Sequence, residues 1–186
     1  MVHLAKSVFI TWLAICLSGS AQSLLVDSIP NQENMTIEYN PIGRFHTYMT
    51  PQTGAPRQGA LQPENEATIE INEDFTRGLR DLDKYEYIIV IYHLHLSRDW
   101  HSDVRPPGSK SSLGLFATRS PNRPNPIGFG VIKLKRVVGN VLHVSGIDAF
   151  DGTPVLDIKP WIPSIDCPSI KTYTDIEHKL GIKMED

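Results

Sequence analysis

Cysteine is nearly absent from this chain: Cys16 and Cys167 are the only two, far apart and without metal-ligand spacing. Neither a disulfide framework nor a zinc site is therefore implied. The seven histidines make no metal motif either, since His93 and His95 stand two apart with no third ligand at a recognisable spacing. There is no GxGxxG and no alternation of strand and helix patterns, which excludes the common open α/β nucleotide-binding fold. Low-complexity tracts and internal repeats are also missing, so linkers and solenoids are set aside.

What is present describes an ordinary globular protein. With 186 residues, 40% of them apolar and 21% charged, the chain supports one compact domain with a real core. The formal charge of −3 argues against a nucleic-acid binder, but its distribution points the other way. Between Val104 and Arg136 there are seven basic residues (Arg105, Lys110, Arg119, Arg123, Lys133, Lys135 and Arg136) and no acidic one. A local cationic face can bind phosphates on a chain that is acidic overall.

The first 34 residues differ in kind. Lys6 precedes an apolar run, Ser7 to Leu17, followed by the small residues Ser18-Gly19-Ser20-Ala21. That order is the pattern of a secretory signal peptide, and the run is too short for a transmembrane helix. A chain beginning at Met35 would hold the whole domain, so the expected organisation is residues 1–34 as a leader or a start assigned too early. Residues 35–166 form the domain, and 167–186 a polar tail with a short helix from Thr174 to Leu180.

Short strands dominate from Tyr39 onward. Ile42–Tyr48 and Ala67–Ile71 alternate weakly, and Tyr85–Leu96 is a long apolar, β-branched run expected to form a central, largely buried strand. Leu113–Thr118, Gly128–Val138 and Val141–Ile147 are three more. Gly139-Asn140 between the last two predicts a two-residue hairpin with both residues at positive φ. One helix is predicted, Asp74–Leu82, with Phe75, Leu79 and Leu82 at helical spacing and Asn72 or Asp74 as its cap. Asp151-Gly152-Thr153-Pro154 is a turn signal ahead of the short apolar run Val155–Ile158. Six or more strands with one or two short helices predict an all-β fold, a small closed or nearly closed β-barrel.

The most informative stretch is Leu115 to Gly130, LFATRSPNRPNPIGFG. Pro121, Pro124 and Pro126 fix φ and remove donors, which stiffens the loop and aims the polar side chains on it. Rigid arginines and amides suit an anionic or nucleotide-like ligand.

Four segments, PRQG at 56–59, VRPP at 104–107, GLFATRSPNRPNPIG at 114–128 and GNVLHVSGIDAFDGTPVLDIKPWIPSID at 139–166, resemble the TrmO/TsaA-like family of S-adenosylmethionine-dependent tRNA methyltransferases. The resemblance covers roughly Tyr39 to Asp166. It implies a TsaA-like β-barrel, S-adenosylmethionine as cofactor, tRNA as partner, a homodimer and no metal. The implied acceptor is the exocyclic nitrogen of threonylcarbamoyl-modified adenosine beside the anticodon.

Carried over from the family pattern, the cofactor contacts fall on Pro56, Arg57, Gln58, His93, Leu94, Arg119, Phe129, Phe150, Asp151, Gly152 and Thr153. Arg119 suits the cofactor's carboxylate, Asp151 its ribose hydroxyls or ammonium, and Thr153 with the backbone near Gly152 its adenine edge. Arg123 and Asn125 are candidate contacts to the acceptor base, with Lys133, Lys135 and Arg136 on phosphates and Arg105 facing the threonine carboxylate. Loss of the nitrogen's proton leaves His93, His95, Asp148 and Asp151 as candidate bases, and the residues do not choose among them. A non-catalytic module on the same barrel is the alternative. A tRNA substrate implies a cytoplasmic protein; a genuine leader would instead mean export or organelle targeting.

Overall fold

The structure, a computed structural model, describes residues 36–167. The expected leader and most of the expected tail, including the helix at 174–180, lie outside the described residues. Six strands close into an antiparallel barrel: β1 (Gly43–His46), β2 (Glu66–Ile71), β3 (Tyr87–His93), β6 (Ile127–Val138), β7 (Val141–Ser145) and β8 (Pro154–Pro160). Their order around the barrel is β1-β2-β7-β6-β3-β8, with β8 pairing back onto β1. A two-stranded ribbon, β4 (Asp103–Val104) with β5 (Leu113–Gly114), stands in the excursion between β3 and β6.

Closure follows from the alternation of each strand. In β3, Ile88, Val90 and Tyr92 are buried while the residues between them are half-buried, and in β2 the buried set is Ala67, Ile69 and Ile71. With Phe45, Leu142, Val144 and Val155 these side chains fill the barrel, and several are completely shielded from water. Each large aliphatic or aromatic side chain buried this way contributes about 1.5–3 kcal/mol. At twelve residues β6 is long enough to pair with β3 through its first half and with β7 through its second. A bulge at Lys135 bends it between the two and turns both Lys135 and Arg136 outward.

The structure corrects three expectations. The segment Leu113–Thr118 is not a barrel strand: it gives only the two residues of β5 and then one 3-10 turn, Leu115–Ala117. The sixth strand is β8 instead, whose pairing partners β1 and β3 lie far away in sequence. The helix expected at Asp74–Leu82 is a 3-10 segment, Glu73–Leu79, with a second 3-10 turn at Leu82–Lys84. Gly78 weakens an α-helix there, and Asp81 at φ 70 interrupts it. Asn72 does not cap the segment with its side chain but donates to the Pro41 carbonyl at 3.2 Å. In the β6–β7 hairpin Gly139 takes positive φ (60°) but Asn140 does not, and Asn140 donates its side-chain amide to the Ile71 carbonyl at 2.7 Å.

Candidate functional site

A cleft of about 500 Å³ opens at the end of the barrel where β3 finishes and β6 begins. Its walls come from four stretches distant in sequence: Ala55–Gln58, the segment following β3, the proline-rich loop and the connection between β7 and β8. Packing of the barrel brings them together. The Leu94 amide donates to the Pro126 carbonyl at 2.7 Å, which docks the proline-rich loop on the end of β3. On the far side the Phe45 amide donates to the Thr153 carbonyl and the Gly152 amide to the Phe45 carbonyl, both at 2.9 Å.

The proline-rich loop is held from within. Arg123 donates through Nη1 to the Thr118 carbonyl at 3.2 Å and the Ser120 carbonyl at 3.4 Å. Its guanidinium also lies 5.6 Å from the centroid of the Phe116 ring. Asn122 accepts the Arg98 amide at 2.9 Å. Arg123 is thus a staple of the loop more than a free hand for the substrate. Replacement by alanine is expected to speed amide exchange at Thr118 and Ser120 while lowering global stability by no more than about 1 kcal/mol, because the hydrogen bonds it makes are local and part-buried. Exchange measured residue by residue checks this; unchanged rates would show the prolines alone hold the loop.

Of the cofactor residues implied by the resemblance, the cleft gathers Pro56, Arg57, Gln58, Leu94, Arg119, Phe129, Phe150 and Thr153. Arg119 is exposed and has no hydrogen-bond or ion-pair partner among the described residues. Arg57 donates to the Pro107 carbonyl at 3.2 Å, which ties the PRQG segment to the VRPP segment. Thr153 is buried, with its hydroxyl 3.4 Å from His95 Nδ1. Burial and the neighbouring His93 both hold the His95 imidazole below its ordinary pKa.

His93, Asp151 and Gly152 do not line the cleft. Alternation along β3 gives the interior positions to Ile88, Val90 and Tyr92, so His93 falls on the opposite side of the strand. Asp151 and Gly152 form the exposed part of a turn; the Asp151 carboxylate accepts the Thr47 amide at 3.1 Å, and Gly152 sits at φ 74. Asn125 stands at the exposed end of the loop and is also outside the lining. Lys133, Lys135 and Arg136 continue along the outer face of β6, away from the cleft, and are engaged there. Lys133 pairs with Glu86 at 3.2 Å, Lys135 pairs with Glu66, and Arg136 bonds His143 at 3.2 Å. Both lysines of that run therefore face carboxylates from neighbouring segments in exposed ion pairs.

Tyr92 is the residue the sequence concealed, and its partner is Asp148, one of the four candidate bases. Tyr92 is 5% exposed, its ring edge-on to Phe45 at 5.6 Å, and its hydroxyl donates to Asp148 Oδ1 at 2.8 Å. The other oxygen, Oδ2, accepts the Gly59 amide at 3.3 Å. Loss of water around the carboxyl raises the Asp148 pKa above the ordinary carboxylate value, against the lowering effects of these two donors and of Arg119. Burial beside that carboxylate pushes the Tyr92 hydroxyl well above its usual value, so it stays a donor.

A closed antiparallel barrel with a cationic, apolar-walled cleft at one end defines a β-barrel ligand-binding domain. A profile of the tRNA-methyltransferase O N-terminal domain matches residues 44–167, and the chain belongs to that family. A probable S-adenosyl-L-methionine-binding protein of Pyrococcus abyssi is 39% identical over 132 residues, 71% of this chain and 72% of that one. A tRNA (adenine(37)-N6)-methyltransferase of Mus musculus is 35% identical over 149 residues, 75% of this chain and 34% of that one. The crystal structure of TrmO from Pseudomonas aeruginosa superposes with a TM-score of 0.64 at 33% identity, covering 74% of this chain and 61% of that chain. The chain thus spans about a third of the mouse relative and under two thirds of the solved structure. Among the described residues no helix is long and apolar enough to cross a membrane, and no three His, Cys, Asp or Glu side chains cluster as metal ligands.

Proposed function

We propose that this protein is an S-adenosylmethionine-dependent tRNA methyltransferase whose acceptor is the exocyclic nitrogen of threonylcarbamoyl-adenosine beside the anticodon. The observation that carries the reading is the cleft itself, in which Arg119, unpartnered among the described residues, shares one cavity with apolar walls and a half-buried carboxylate. The residues fit the cofactor's parts. Leu94, Phe129 and Phe150 offer apolar surface for a purine ring, and Arg119 offers two parallel donors for a carboxylate. The names of the relatives support the cofactor and an adenine N6 in tRNA as acceptor.

When bound, the cofactor supplies an electrophilic methyl group on sulfonium sulfur. The chain's own work is positioning: Arg119 and the apolar walls fix one reactant, and the cleft mouth admits an adenine splayed from a single-stranded loop. Asn125 and the Phe116 ring, both exposed and on either side of the Arg123 staple, would contact the RNA. A tRNA acceptor belongs in the cytoplasm, and pairing of two barrels into a homodimer would extend the RNA surface.

The decisive experiment uses the purified full chain, methyl-labelled cofactor and tRNA with or without the threonylcarbamoyl group. Label is expected in the modified nucleoside alone. Label in neither tRNA, with cofactor bound, would overturn the reading in favour of a non-catalytic binding module. Label in unmodified tRNA would keep the methyltransferase and reject the proposed acceptor.

A further inference from the structure

Among the described residues lining the cleft, Asp148 is the only carboxylate. It stands where the main cleft meets a smaller hollow of about 230 Å³ and lines both. Two donors orient it, and they are unequal. The Tyr92 hydroxyl holds Oδ1 at 2.8 Å, while the Gly59 amide reaches Oδ2 only at 3.3 Å. No cation lies within ion-pair distance of it among the described residues, although Arg119 is near enough to influence it. As an acceptor for Tyr92 alone it would not need a charge, because an amide oxygen accepts the same hydroxyl without the cost of desolvating an anion; only the long Gly59 contact calls for a second acceptor oxygen.

We propose that Asp148 is the catalytic base, its Oδ2 taking the proton of the acceptor nitrogen, and that Tyr92 is the positioning residue that fixes the carboxylate through Oδ1. This rests on the methyltransferase reading above. In the step, the N–H bond breaks as the nitrogen's electron pair forms the N–CH₃ bond. The S–CH₃ bond breaks with its pair retained on sulfur, which turns the sulfonium into a neutral thioether. The proton stays on Asp148 until water removes it at turnover. The raised pKa of the carboxyl strengthens it as a base. The other titratable groups facing it are Tyr92 on β3 and Arg119 on the loop, with His95, Arg57 and Arg123 farther along the same cleft wall.

The test compares Asp148→Asn and Tyr92→Phe with the parent full chain. Asp148→Asn should bind cofactor within about threefold of the parent by calorimetry while methyl transfer falls by about 10²–10⁴-fold. Without cofactor its stability relative to the parent should rise between pH 4 and pH 8, on top of a fixed cost for turning an amide NH₂ toward the Gly59 N–H. The sign follows from linkage: an acid whose folded pKa is raised costs stability while ionised, and the cost fades as pH falls from the folded toward the unfolded pKa. The variant's stability relative to the parent should therefore fall toward pH 4. Tyr92→Phe removes a donor that lowers the Asp148 pKa, so the acid limb of its pH–rate profile should move to higher pH.

Unchanged transfer by Asp148→Asn overturns the assignment, and a tenfold loss of cofactor affinity would make Asp148 a cofactor ligand instead. A stability difference from the parent that does not change with pH would make it structural. Should Asp148→Asn fail to fold, an unmoved acid limb in Tyr92→Phe overturns the assignment alone. A parent that moves no methyl overturns the methyltransferase reading and the base with it.

Discussion

A Gly128→Ala variant will unfold with a loss of about 3 kcal/mol, at the upper end of the overpacking range, and a melting temperature lower by roughly 10 °C. Gly128 faces the barrel interior directly opposite Tyr92 in the β3–β6 ladder. A β-carbon there would lie 2.1 Å from Tyr92 Cε2, 2.5 Å from Cδ2 and 2.6 Å from Cζ. The ring has no easy retreat, since it is wedged edge-on against the buried Phe45 and anchored by its hydroxyl to Asp148. Either the strands part or the hydroxyl leaves the carboxylate, and both disturb the cleft. Gly130→Ala is the control: its β-carbon would stand 3.4 Å from Ile132 Cγ2 and 3.8 Å from Tyr92 Cε1, ordinary contact distances. It should cost no more than about 1 kcal/mol, the size of a surface strand change. Thermal denaturation of the two side by side checks the argument; equal losses would mean the Tyr92 ring moves freely.

Cofactor affinity will fall at least tenfold in Arg119→Ala, with the fold intact. Arg119 is exposed and unpartnered among the described residues, so its removal leaves no buried acceptor behind and should scarcely move the melting temperature. In the bound state its two parallel donors would meet a carboxylate partly withdrawn from water, where a charge-assisted bond contributes about 1.5–3 kcal/mol. That range corresponds to about 10- to 150-fold in affinity. Arg119→Lys keeps the charge and loses the fork, so it should fall between the two. Calorimetry on the three chains decides it. Unchanged affinity in the alanine variant would take Arg119 out of the site and weaken the reading of the whole cleft.

How far residues disclosed their roles depended on how local the cause was. The stiffness of the loop around Arg119 was legible because prolines stiffen a chain wherever they stand, and the folded loop is internally braced and lines the cleft in part. Five of the six barrel strands, β1, β2, β3, β6 and β7, lie within the runs read from alternation or extend them by a residue. β8 was read as a turn followed by a short apolar run, because Pro154 and Pro160 bracket it and its partners are remote. The region Asp74–Leu82 has helical spacing but no apolar face deep enough to be held as a helix, and none of the residues in its 3-10 segment is buried. Lys133, Lys135 and Arg136 read as a phosphate-binding run, and only the fold shows that Glu66 and Glu86 stand beside the two lysines.

By itself the sequence determined the class of the fold, the stiff cationic loop and the family to which the chain belongs. These depend on backbone preference, alternation and ordered motifs, all of which act over a few residues. Tertiary structure alone decided which groups share the cleft. Tyr92 and Asp148 stand 56 positions apart and meet only because a barrel must close, with β3 and the β7–β8 connection forced to one end. The same closure removes water from the Asp148 carboxyl and raises its proton affinity. Desolvation is a property of the neighbours a group acquires on folding, and no residue carries it alone.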